Sequence, residues 1–414
     1  MKRHFPFIIL LFLIHIFFMF YNLQAWAHFG WDQVDNAWAA VRILITHNYP
    51  LLGMVAKGNS GLYIGPLYYY FVALFYFFTK LDPIASPILA GCTAIFSFWI
   101  IYWVSKKLFN GKIALISCFI YTFSVTIIQR ERIQWPVNFI APLGLLIFYF
   151  LYKVMTGEKK YFIYLAAAVG LSFHIHFTSI FYPIIIVLSL PFIPFDKKTW
   201  KYVFISSVVF IVFLIPQAIY YIQANHHNTY LQSYYHGFHL RRMMQLSHDA
   251  FIKFQSILER PYTILRNAVF FYLPLFFIAY WKNGKNKMKL FYLVIVWILV
   301  PWVVFTTYSG EISDYYFNCQ LYLAILIFAY ITVWMWDSKK LVLCGAVSLF
   351  WLYFAITNVQ IFFHTPHGNL VEDKLKVQQT INERKLIQFT EGDPQSYLEF
   401  YYLYPQHKPL PFKL

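Results

Sequence analysis

Acidic side chains are scarce in this chain: 17 aspartates and glutamates among 414 residues, against 33 lysines and arginines. Charged residues of both signs reach only 12%, about half the share of an ordinary soluble domain, which excludes a water-facing surface over most of the chain. Cysteine is equally sparse. Cys92, Cys118, Cys319 and Cys344 lie within or at the ends of apolar runs with no close pair, so neither a disulfide framework nor a zinc-ligand spacing is present. There is no Walker loop and no dinucleotide fingerprint. Charges do not recur in the middle of the apolar runs, where an ion or solute path would need them. Inverted repeats and low-complexity segments are missing too. The lack of any Asn-x-Ser/Thr acceptor or retention signal leans toward a bacterial plasma membrane.

What is abundant is apolar. Hydrophobic residues make up 60% and aromatic residues 22%, in long runs from end to end, which reads as an all-α, polytopic integral membrane protein. The formal charge of +16 is not a nucleic-acid signature, because the lysines fall in short clusters between apolar runs. Those at Lys2/Arg3, Lys106/Lys107/Lys112, Lys153/Lys159/Lys160, Lys197/Lys198/Lys201, Lys282/Lys285/Lys287/Lys289 and Lys339/Lys340 belong on the cytoplasmic side by the positive-inside rule. Going out and back between clusters predicts about eleven transmembrane helices. They fall near 5–24, 84–105, 111–128, 136–153, 161–175, 179–195, 202–222, 266–281, 290–307, 317–336 and 341–362, with the N-terminus inside and the C-terminus outside.

The stretch Gly61 to Thr79 is apolar as well, but counting it as a span would turn every later lysine cluster outward. It therefore reads as an outer juxtamembrane helix in the first external loop (25–83), with Tyr63, Tyr68, Tyr69, Tyr70 and Tyr76 in the headgroup layer; a true span beside a re-entrant neighbour is the alternative. Residues 1–362 form a transmembrane catalytic domain in this reading. Residues 363–414, less hydrophobic and of mixed charge, form a small extracytoplasmic segment.

With that topology the reactive inventory is extracytoplasmic, and its centre is Trp31-Asp32-Gln33-Val34-Asp35. Two carboxylates three residues apart project toward one patch at the start of a helix, flanked by Trp26, Trp31 and Trp38, which suit a lipid surface. A plain helix cap with a solvated acid is the bland alternative. Further on, Arg132 offers a planar fork for phosphate oxygens, with an ion pair to Glu131 or a headgroup contact as its ordinary reading. His174-x-His176 sits at an outer turn, where a hydrogen-bonding histidine is the default and a phosphate contact by His176 comes second. His226, His227, His236, His239, Arg241 and Arg242 populate a long outer loop. Glu311, Asp314, Tyr315 and Tyr316 approach the outer face from a late span.

The order Trp-Asp-Gln-x-Asp-x-x-x-x-Ala-x-Arg-Ile-Leu (31–44), Pro50-Leu-Leu-Gly53 and Gly61-Leu-Tyr-Ile-Gly-Pro-Leu-Tyr-Tyr-Tyr70 resembles the first outer loop of GT-C glycosyltransferases. Within them it is most similar to the protein O-mannosyltransferase and lipid A aminoarabinose-transferase branch. Arg132-x-x-Trp135-x-x-Asn138, Gly170-Leu-x-x-His174-x-His176-Phe-Thr178 and Gly310-Glu-Ile312 with Asp314-Tyr-Tyr-Phe317 resemble later parts of that family. The resemblance implies transfer of a sugar from a polyprenyl-phosphate carrier to a protein, lipid A or cell-envelope glycan, with inversion, on the extracytoplasmic face. It puts Asp32 in the catalytic position. Where relatives often carry Asp-Glu this chain has Asp32-Gln33, and Asp35 can supply the second charge. The resemblance also sets Lys57 in the loop that carries a phosphate-binding lysine, and Glu311, Asp314 and Tyr316 at the sugar or acceptor pocket.

The chemistry is coherent by itself. A carboxylate in reach of an acceptor hydroxyl can take its proton as the sugar–oxygen bond forms, a contribution of about 10²- to 10⁴-fold. Cations must then hold the leaving phosphate, and Lys57, Arg132 and His176 are the candidates. No cofactor is required, and no metal-ligand spacing indicates a divalent ion. The competing reading is a transporter or lipid flippase with no covalent chemistry.

Overall fold

The computed structural model describes residues 5–55, 61–223, 269–283, 287–308, 312–366, 368–383 and 393–403. Regular structure among them is helical, with an isolated antiparallel bridge pairing Val55 and Tyr63. The order is α1 (Phe5–Phe20), α2 (Trp31–Leu44), α3 (Leu67–Phe78), α4 (Ala85–Leu108), α5 (Gly111–Phe123), α6 (Val125–Glu131), α7 (Ile140–Met155) and α8 (Tyr161–Ser172). It continues with α9 (Phe181–Ser189), α10 (Lys197–Gln223), α11 (Val269–Asn283), α12 (Lys287–Thr306), α13 (Asn318–Asp337), α14 (Leu341–His364), α15 (Leu370–Asn382) and α16 (Pro394–Leu403).

Six helical stretches of the described residues are long and apolar enough to cross a membrane: Ala85–Leu108, Pro136–Met155, Lys197–Gln223, Met288–Thr306, Tyr315–Asp337 and Leu341–His364. The pair α5 and α6 is a seventh if counted as one, though it bends by 69° at Ser124. The chain is an integral membrane protein. The other segments expected to span are helical too but shorter. A 12-residue helix such as α8 rises only about 18 Å, well under the bilayer's apolar thickness.

Helix ends follow the lysines. α4 closes on Lys106 and Lys107 beside its exposed carbonyls, and Asn110 then caps α5 by accepting from the Lys112 and Ile113 amides at 2.9 and 3.0 Å. α13 is the hub of the bundle, burying side chains along most of its length against α5, α7 and α11. α10 and α14 bury few, and Val208, Ile211, Val212, Leu349 and Leu352 face outward. That is the pattern of helices with a lipid-facing side.

Two expectations need correction. Tyr68, Tyr69 and Tyr76 do not present their rings to lipid: α3 packs against α2 and all three are buried in the protein core. Of the three tryptophans expected at the lipid surface, Trp31 is exposed, whereas Trp38 is fully buried and Trp26 is half-buried against Tyr21 and Phe362. The second concerns the tail, which is no separate appendage. Tyr397 and Phe400 of α16 pack on Trp38 of α2, and Lys374 of α15 pairs with Asp82 at 2.7 Å. Low hydropathy hid this contact because a few aromatic side chains make it.

Candidate active site

α2 begins at Trp31 with Gly30 as its cap, and the Gly30 amide donates to Gln33 Oε1 at 3.0 Å. Asp32 is therefore a first-turn residue of α2 and not its cap. Gln33 is buried and turned away from solvent. Its amide donates to the Gln134 carbonyl at 2.6 Å, while Gln134 donates to the Tyr68 hydroxyl at 2.7 Å and accepts from Ser86 at 3.2 Å. A carboxylate at 33 has no proton to give that carbonyl. Glutamine is what this packing requires.

Asp32 and Asp35 stay half-buried on the other side of α2. Tyr69 of α3 donates to Asp35 Oδ2 at 2.7 Å, and Arg42, two turns along α2, lies near enough to favour the Asp35 charge. Burial lifts both carboxyl groups above their ordinary value. For Asp32 the Asp35 charge adds to the rise and His28 opposes it; for Asp35 the Tyr69 bond and Arg42 oppose it. His28 was not singled out from the sequence, and Tyr69 and Arg42 were not assigned there as partners of the aspartate pair. Only the aspartate pair pointed to this end of the loop.

The loop that presents α3 is held from beneath. The Gly65 amide donates to the Phe173 carbonyl at 3.1 Å. His174, fully buried, accepts from the Leu67 amide on Nδ1 at 3.4 Å and reaches the Phe213 carbonyl through Nε2 at 2.8 Å. Its partner in the His-x-His pair points elsewhere. His176 accepts from the Thr178 amide on Nδ1 at 3.3 Å and packs against Phe177, Tyr315 and Tyr316. Burial drives its pKa down to about 3, which works against the positive charge expected for a phosphate contact. Tyr316 is buried in the same cluster, stacked on Phe305, and Trp135 joins through Tyr315 at 4.7 Å. Since Trp135 follows Gln134, this aromatic cluster stands one residue from the carbonyl that Gln33 grips.

Arg132 is the clearest correction. Its guanidinium donates to the Phe18, Met19 and Tyr21 carbonyls at the end of α1, the last two at 3.1 and 2.7 Å, and lies over Trp26 and Phe362. The fork that would hold phosphate is spent on closing a helix terminus. Neither does Arg132 pair with Glu131, which is buried and accepts from the Tyr121 and Tyr322 hydroxyls. Asp314 opens a single 3-10 turn, Asp314–Phe317, ahead of α13; its side chain is outside the described set. Lys57, Glu311, His226, His227, His236, His239, Arg241 and Arg242 also lie outside the described residues. No three His, Cys, Asp or Glu side chains converge as metal ligands among the described residues.

This helical membrane bundle, with a carboxylate pair on a short helix of its first loop, is similar in fold to solved oligosaccharyltransferases. Residues 52–221 match the family described as dolichyl-phosphate-mannose-protein mannosyltransferase. The matched stretch begins after α2 has ended, so Asp32 and Asp35 lie outside it. No curated protein sequence matches the chain. Among solved structures it is similar to ArnT from Cupriavidus metallidurans bound to undecaprenyl phosphate, at 11% identity and a TM-score of 0.59, over 96% of this chain and 75% of that one. The apo oligosaccharyltransferase of Archaeoglobus fulgidus gives 13% identity and 0.56, over 100% of this chain and 61% of that one. The archaeal oligosaccharyltransferase AglB from Archaeoglobus fulgidus, in complex with an inhibitory peptide and a dolichol-phosphate, gives 11% and 0.54, over 99% and 61%. At these identities the likeness is one of fold.

Proposed function

We propose that the protein transfers a glycosyl group from a polyprenyl-phosphate carrier to an acceptor hydroxyl at the extracytoplasmic face of the membrane, with Asp32 as the base. The observation that carries this reading is the pairing of Asp32 with Asp35 on α2, outside the long apolar helices, with Tyr69 and Arg42 fixing Asp35. Undecaprenyl phosphate in the ArnT structure and dolichol-phosphate in the AglB complex support a lipid-linked donor. The acceptor oxygen attacks the anomeric carbon from the face opposite the phosphate and the C1–O bond breaks. The bonding electrons leave with polyprenyl phosphate, and the acceptor proton passes to Asp32. Asp35 holds the acceptor or steadies Asp32; Lys57 meets the phosphate; Glu311, Asp314 and Tyr316 border the sugar or acceptor. About eleven crossings, N-terminus inside and α2 outside, in a bacterial plasma membrane, fit the lysine pattern.

The test is incubation of the purified protein in lipid with radiolabelled polyprenyl-phosphate sugars and cell-envelope acceptors. Labelled product with the anomeric centre inverted is expected; movement of the lipid with no covalent product would leave a flippase instead. A pH profile adds a sharper check. The base must be ionised, so activity is lost as pH falls through the raised Asp32 pKa. Asp35→Asn removes a charge that raises it, and the acid limb should move to lower pH. His28→Gln removes a group that lowers it, and the limb should move to higher pH. Shifts in the same direction would sink the assignment of Asp32.

A further inference from the structure

We propose that the C-terminal helical pair, α15 and α16, is a positioning element for α2, setting the geometry of the aspartate-bearing helix from behind. This rests on the reading of Asp32 as the base. α2 is 14 residues long, a length at which an isolated helix is marginal in water, and in a transferase a misplacement of about 1 Å can cost 10²-fold in rate. Something must hold it.

The tail grips three places around it. At the back, Trp38 is fully buried with Tyr397 and Phe400 against it, ring centroids 5.4 and 5.1 Å away; Tyr397 also meets Phe29, ahead of the cap, at 5.6 Å. At the front, the Leu370 amide donates to the Gln24 carbonyl at 3.2 Å, and a Cβ on Gly368 would stand 2.3 Å from the Ala27 carbonyl oxygen. The backbone leading into α2 and the backbone leading into α15 are thus in direct contact. Asp373 in the first turn of α15 lies near enough to His28 to feel its charge, as Asp32 does. At the side, Asp82 in the α3–α4 turn takes Lys374 on Oδ1 at 2.7 Å and the Tyr401 hydroxyl on Oδ2 at 2.9 Å, while Tyr397 donates to the Leu81 carbonyl at 3.0 Å. These bonds tie α15 and α16 to the turn after α3, which carries Tyr69. Both helices that meet at Asp35 are therefore braced by the same tail.

The experiment compares Phe400→Ala and Lys374→Met with the conservative Lys374→Arg, in the full chain reconstituted in lipid. Phe400→Ala and Lys374→Met should lower kcat about tenfold per folded molecule with the donor KM unchanged, and raise hydrogen exchange in 31–44 but not in α4, α7 or α13. Lys374→Arg should keep near wild-type kcat. If Phe400→Ala does not fold, Lys374→Met decides alone. Wild-type kcat together with wild-type exchange in 31–44 would overturn the proposal. Absence of transfer in the unmutated protein would instead defeat the functional reading, and the exchange comparison would still decide whether the tail braces α2.

Discussion

Replacing Asp32 by asparagine should abolish glycosyl transfer while leaving the protein folded and in the membrane. The first half follows from the chemistry, since an amide cannot accept the acceptor proton. Loss of general-base catalysis removes about 10²- to 10⁴-fold by itself. The second half follows from local structure. Gly30 and Gln33 make the cap of α2 without Asp32, and the amide has nearly the volume of the carboxylate. What asparagine forfeits is the favourable placement of a negative charge in the first helical turn, about 0.3–1 kcal/mol, and part of that is regained because Asp32 no longer faces Asp35 across a half-buried patch. Yield, detergent-solubilised mobility and thermal unfolding should therefore match the unmutated protein, and transfer should not. Near-normal transfer by Asp32→Asn would remove the mechanism. Loss of folded protein would show that the carboxylate is structural.

The aspartate pair was legible because acids are rare in this chain, so two of them in one loop stand out against the apolar background. The helices were legible for the opposite reason, being long apolar runs with lysines at their ends. Partners were not. Tyr69 is 34 residues from Asp35 and Gln134 is 101 from Gln33, and neither bond has a sequence signal beyond a polar atom in an apolar stretch. Arg132 was misread for a physical reason: its fork suits three helix-end carbonyls as well as a phosphate, and only the fold says which it meets. His176 was taken for a cation because sequence does not report the aromatic cluster that buries it and lowers its pKa. The tail was set apart because its mean hydropathy is low, although Tyr397, Phe400 and Lys374 bind it to the first loop.

Gly65→Ala should have the largest structural effect. A Cβ at that position would lie 1.8 Å from His174 Nδ1, inside any tolerable contact, and the ring cannot swing aside. It is fully buried and tied at both nitrogens, to the Leu67 amide and the Phe213 carbonyl. Either the ring gives up both bonds or the 64–67 backbone moves, and with it the start of α3. Overpacking of this kind costs about 1–3 kcal/mol, and each buried group left unpaired adds about 1–3 more, enough to cut the folded yield severely. Molecules that do fold should be impaired in catalysis, because Tyr69 travels with α3 and its bond to Asp35 is the first to stretch. The double variant Gly65→Ala with His174→Ala provides the decisive comparison. Removing the ring makes room for the methyl group at the expense of two unpaired backbone groups, so the double variant should be more stable than Gly65→Ala alone, although His174→Ala alone is itself destabilising. Thermal unfolding of the four proteins in one lipid reads this directly. A Gly65→Ala protein as stable and active as the original would show that the contact between this glycine and His174 does not hold α3 in place.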